Sequence, residues 1–108
     1  MLSKKHRVDR KGINILFMEG RSITSLSLSF RFIVNSNPNH PRISFTAPKS
    51  VARLGVMRNK LRRLGYKALG KYISEFPRGT LGVFIFRAYE DDISKIEQAI
   101  AEILARIR

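Results

Sequence analysis

Glu90, Asp91 and Asp92 form the one run of carboxylates in this sequence. Clustered acids can hold a divalent cation or act as general bases in hydrolysis. These three stand directly before an amphipathic segment, where an acid satisfies free amides at a helix start. Capping is the expected role. His6 and His40 lie in polar segments and are expected at the surface. No Cys is present, which excludes a thiolate nucleophile, a disulfide framework and Cys-containing zinc sites. Gly12, Gly20 and Gly55 do not make a phosphate-cradling loop. The residues suited to acid–base or metal chemistry are few and scattered.

Residues suited to holding anions are concentrated. The stretch VMRNKLRRLGYKALGKY, residues 56–72, has six Lys or Arg and no acid. On a helical wheel Arg58, Asn59, Lys60, Arg62, Arg63, Lys67 and Lys71 fill the arc opposite Met57, Leu61 and Leu64. Arg58–Arg62, Arg63–Lys67 and Lys67–Lys71 are like-charged pairs four apart. Each costs roughly 0.2–0.5 kcal/mol in an isolated helix. A solvated surface normally mixes signs, so an all-basic face implies a counterion from outside the chain. The planar fork of Arg suits phosphate, and Asn59 can bond a base edge or a ribose hydroxyl. The bland alternative is a merely solubilising charged face.

The whole chain carries the same bias. Its 108 residues fit a single domain, 1–108, with a formal charge of +13. Residues 1–78 hold 17 Lys/Arg against three acids, a net of +14, and residues 79–108 hold four against five, a net of −1. Such charge points to nucleic acid, an anionic membrane or acidic proteins as partner. The apolar runs are far shorter than the roughly 20 residues that span a bilayer. The apolar stripe of the basic segment is narrow, so membrane binding through it is not expected. A cytoplasmic protein is the simplest expectation.

Hydrophobic periodicity supplies the elements. Asp9 can cap a helix over residues 10–19, with Ile13, Leu16 and Phe17 on one face. Leu26, Leu28, Phe30 and Phe32 alternate with polar residues, predicting a strand. Residues 20–25 can add a short further strand. Residues 35–41 read as a turn, and Ile43 and Phe45 mark a second strand stopped by Pro48. Met57, Leu61, Leu64, Ala68 and Tyr72 stripe a helix over 56–74, in which Gly65 and Gly70 each cost about 1 kcal/mol relative to Ala. LGVFIF, residues 81–86, suits a central strand buried on both faces. Ile93, Ile96, Ile100, Ile103 and Ile107 stripe a last helix. The order α-β-β-α-β-α predicts an α+β two-layer sandwich, helices packed on a small sheet. Phe45, Phe84 and Phe86 are expected in the core.

VMRNKLRR, with PKSVAR just upstream, resembles the basic helix of the bacterial ribonuclease P protein subunit. That family carries Ser-Lys-Lys-Val, a short loop, and Ala-Val-x-Arg-Asn-Arg-x-x-Arg-Arg. LSKKHRV resembles its opening Leu-Pro-Lys-x-x-Arg-Leu. Ile13, Leu16, Phe17 and Gly20 resemble its first-helix pattern, and VFIFR its last strand. This chain departs at Pro48, Ser50, Gly55, Lys60, Gly65, Tyr66 and Ile13.

The resemblance implies a left-handed βαβ crossover through the basic helix. It also implies the protein subunit of an endoribonuclease that removes the 5′ leader of precursor tRNA. Its partners are then ribonuclease P RNA and precursor tRNA, with no membrane and no stable protein partner. The catalytic centre and its Mg²⁺ are expected in the RNA, and no catalytic or metal-binding residue in this chain. Lys49, Arg53, Arg58, Asn59, Lys60, Arg62, Arg63 and Lys67 are the residues expected to face the catalytic RNA. Ile13, Phe17, Phe30 and Phe32 are expected to line a leader cleft between the first helix and the sheet, where aromatic faces stack on any base. The competing expectation is a non-catalytic structural RNA-binding protein of the ribosomal kind.

Overall fold

The computed structural model describes residues 18, 20–34 and 41–107. Apart from Met18, the expected helix over 10–19, with Ile13 and Phe17, lies outside the described residues, as do His6 and His40. Four strands are described: β1 (Arg21–Ser25), β2 (Leu28–Ile33), β3 (Arg42–Thr46) and β4 (Leu81–Phe86). They form one sheet in the order β1-β2-β4-β3. β1–β2 and β2–β4 are antiparallel, whereas β3 and β4 run parallel. The parallel pair needs a crossover, supplied by α1 (Gly55–Leu69) and a short 3₁₀ turn, Ile73–Glu75. A last helix, α2 (Ile93–Ile107), follows β4.

The short strand expected within residues 20–25 is β1, whereas the strand expected from Leu26 begins at Leu28. Ser25 pairs with Leu28 across a two-residue turn. Its first residue, Leu26, has φ of 53° and is 58% exposed. A left-handed residue at this position matches the twist of the flanking strands, so the chain reverses where the alternating pattern runs on.

One sheet face makes the core. Phe30, Phe84 and Phe45 lie in register across β2, β4 and β3. Their rings stack at 4.2 Å (Phe30–Phe84) and 4.8 Å (Phe45–Phe84). Gly82, opposite Phe32, leaves room for the Phe30 ring, which any Cβ there would strike. Leu61, Ala68 and Leu69 of α1 and Ile96, Ile100 and Ile103 of α2 close over these rings. The other sheet face bears a smaller cluster of Leu81 and Val83 with half-buried Ile33 and Ile85.

Both sheet margins carry a side chain on the backbone. On β3 the amide of Phe45 donates to the Tyr66 hydroxyl at 3.1 Å. On β1 Arg106 Nη1 donates to the carbonyl of Thr24 at 3.1 Å. Beside it, the Ser25 hydroxyl donates to the Glu102 carboxylate, tying the hairpin to α2.

Candidate nucleic-acid interface

Pro48 ends β3 and opens a tight turn: the amides of Val51 and Ala52 bond back to its carbonyl at 3.0 and 3.2 Å. The basic helix starts at Gly55, seven residues on. Leu54 precedes its first residue without a side-chain cap, and its first turn holds no acid. Leu61, Gly65, Tyr66, Ala68 and Leu69 face inward. Gly65 is required by contact: a Cβ there would stand 2.6 Å from Cε1 of Phe45. The neighbouring Tyr66 meets the same Phe45 edge-on, ring centres 5.4 Å apart. Helix and strand therefore touch at closest range along one line, and that contact sets which residues of α1 point out.

The cations expected to bind RNA divide into three groups. Lys49, Arg53, Arg63 and Lys67 are exposed and form no salt bridge with an acid among the described residues. Arg62, also exposed, donates to the Asn59 side-chain carbonyl, which orients both on the outer face. Lys60 turns toward the β4–α2 connection, its ammonium 3.2 Å from the Asp91 carboxylate. That hydrogen bond, and then the nearby Tyr89, raises the Lys60 pKa above its ordinary value. Arg58 turns back along the chain, donating from Nη1 to the carbonyls of Ala52 and Arg53 at 3.0 and 2.8 Å. At the far end Lys71 pairs with Glu97 of α2 at 3.1 Å.

Two expected leader-binding aromatics require correction. Phe30 is fully buried and Phe32 is 6% exposed, both on the face that the helices cover. Their shared parity was legible in the alternation; which parity meets the helices was not. Phe32 borders an open cavity of about 350 Å³ at the sheet end, with Arg21, Ile33 and Val34. Arg31, of opposite parity, lies on the other face beside Val83 and donates to the Ser22 hydroxyl at 3.2 Å.

The acidic run has two separate tasks. Asp92 caps α2, accepting from the Ser94 amide and hydroxyl at 2.9 and 2.7 Å. These bonds hold its carboxyl below the usual carboxylate pKa. Asp91 takes Lys60. Among the described residues no three His, Asp or Glu side chains converge where a metal ion could bind. No described helix is long and apolar enough to cross a membrane.

No curated protein matches the chain in sequence. Solved structures match its fold throughout. The Staphylococcus aureus RNase P protein, 17% identical, superposes with a TM-score of 0.80 over 95% of this chain and 95% of that one. The Thermotoga maritima RNase P protein, 21% identical, gives 0.80 over 94% and 97%. At such identities the likeness concerns the fold. The profile of the family described as Ribonuclease P matches residues 2–108, nearly every position. With the basic helix laid on its sheet as the sequence motif requires, this chain belongs to the Ribonuclease P family.

Proposed function

We propose that this chain, as the protein subunit of ribonuclease P, binds the catalytic RNA through the outer face of α1 and the turn before it. The observation that carries this reading is the set of exposed cations Lys49, Arg53, Arg63 and Lys67, unmatched by acid among the described residues, beside Arg62 and Asn59. Each phosphate neutralised by such a residue releases counterions, giving affinity that falls steeply with salt. Asn59 and the fork of Arg62 add hydrogen bonds to sugar or base edges. Lys60 and Arg58 contribute from the flanks, the first shared with Asp91.

The leader of precursor tRNA is the second RNA in this reading, and neither Phe30 and Phe32 nor Val83 on the other sheet face is open to it. Phe30 and Phe32 serve the core instead. Hydrolysis belongs to the RNA. Mg²⁺ favours an octahedral set of oxygens, and the described carboxylates do not converge to provide one. The metal does not fit these residues, and no step of the reaction is assigned to them.

Reconstitution with the cognate RNA at low Mg²⁺ tests the proposal. Cleavage of precursor tRNA is expected to rise on adding the protein, and an unchanged rate overturns it. The protein alone, rigorously freed of RNA, is expected to cut nothing. Arg62→Ala with Arg63→Ala is expected to reduce the slope of log affinity against log salt by about two. An unaltered slope removes α1 from the interface.

A further inference from the structure

Arg58 is the first cation of the basic helix, yet its guanidinium is turned to its own backbone. One nitrogen, Nη1, donates to two successive carbonyls, Ala52 and Arg53, at 3.0 and 2.8 Å. Those carbonyls end the turn that the Val51 and Ala52 amides close onto Pro48. The guanidinium also lies over the helix start: Nη2 is 3.6 Å from where a Cβ on Gly55 would stand. Leu54 offers no capping side chain and the first turn no acid. Nη1 of Arg58 thus fastens α1 to the segment before it. That segment carries Lys49 and Arg53, both exposed. An unfastened loop would scatter two cations over many positions, and RNA binding would then have to order them at a cost in backbone entropy.

We propose that Arg58 is a positioning residue: it braces residues 48–54 so that Lys49 and Arg53 join Arg62 and Arg63 in one prearranged phosphate-binding surface. The inference rests on the RNA-binding role proposed above and adds an order within it. Arg58 acts chiefly through its neighbours, and they meet the phosphates. Lysine is a poor substitute, because its compact ammonium is strongly hydrated and lacks the rigid fork.

Arg58→Lys separates charge from brace, and Arg58→Ala removes both. The two, with Lys49→Ala/Arg53→Ala and the triple variant carrying Arg58→Lys, are compared by amide exchange and by RNA binding over a salt series. Arg58→Lys is expected to speed exchange at Val51 and Ala52 about tenfold while β4 amides keep their rates. It is expected to weaken RNA binding severalfold and lower the salt slope by more than one, although net charge is unchanged. In the Lys49→Ala/Arg53→Ala background the same change is expected to cost less than twofold, since nothing is left to position. Equal losses in both backgrounds make Arg58 a direct phosphate ligand and overturn the proposal. So does unaltered exchange at Val51 and Ala52, or a loosened turn with unaltered RNA binding. Failure of the wild-type protein to bind RNA overturns the function proposed above and this inference with it. It is distinguishable because it precedes any substitution.

Discussion

A hydrogen in place of a methyl group at position 65 lets α1 lie on β3. The Phe45 ring fills the space that a side chain would need, and is itself stacked on Phe84. Ala is the better helix former by about 1 kcal/mol, yet Gly65→Ala is expected to destabilise the fold by about 1–3 kcal/mol through overpacking. Urea unfolding measures it, and a stabilised variant would refute the contact argument. Helix propensity alone reads Gly65 as a weakness. Its partner lies twenty residues away on another element, so no local pattern exposes the reason. Tyr66 is similar: a half-polar residue inside a basic run gives no hint that its hydroxyl accepts a strand amide. Phe45, Phe84 and Phe86 were legible as core because they alternate within short apolar segments.

The elements were easier to find than their ends. The pattern locates the central strand at residues 81–86 and the Ile stripe of α2 correctly. It starts the second strand at Leu26, where the chain turns, because a leucine at positive φ breaks the usual turn preference for Gly or Asn. The last helix also shows how position decides an acid's task. Asp92 caps it; Asp91, one residue earlier, faces Lys60. A depressed carboxyl pKa stabilises the fold above the ordinary Asp value near 3.8, and that support is lost as pH falls through the lower folded value. Asp92→Ala is therefore expected to lower the thermal midpoint by a few degrees at pH 7. The gap to wild type should close as pH is taken well below that ordinary value. A gap that stays constant over that range would show that the charged carboxylate is not what holds the helix start.

The whole molecule separates its charges. Acids from the C-terminal third meet Lys60 of α1 and Lys71 just beyond it, through Lys60–Asp91 and Lys71–Glu97, while among the described residues no acid pairs with the outer cations. Exposed pairs of this kind are worth little, so self-repulsion outweighs them in a chain of net charge +13. Raising salt from 0.01 to 0.15 M shortens the screening length from about 30 to about 8 Å. The thermal midpoint is expected to rise over that range, as scanning calorimetry can follow; a falling midpoint would make the ion pairs dominant. The net charge was plain in composition, but its division between a neutralised flank and a bare face required the fold. One further consequence follows from the Tyr66 hydroxyl and the Arg106 guanidinium lodged on opposite margins of the sheet. Each takes up one backbone group of an outer strand, which leaves fewer sites for strand pairing between copies crowded along a long polyanion.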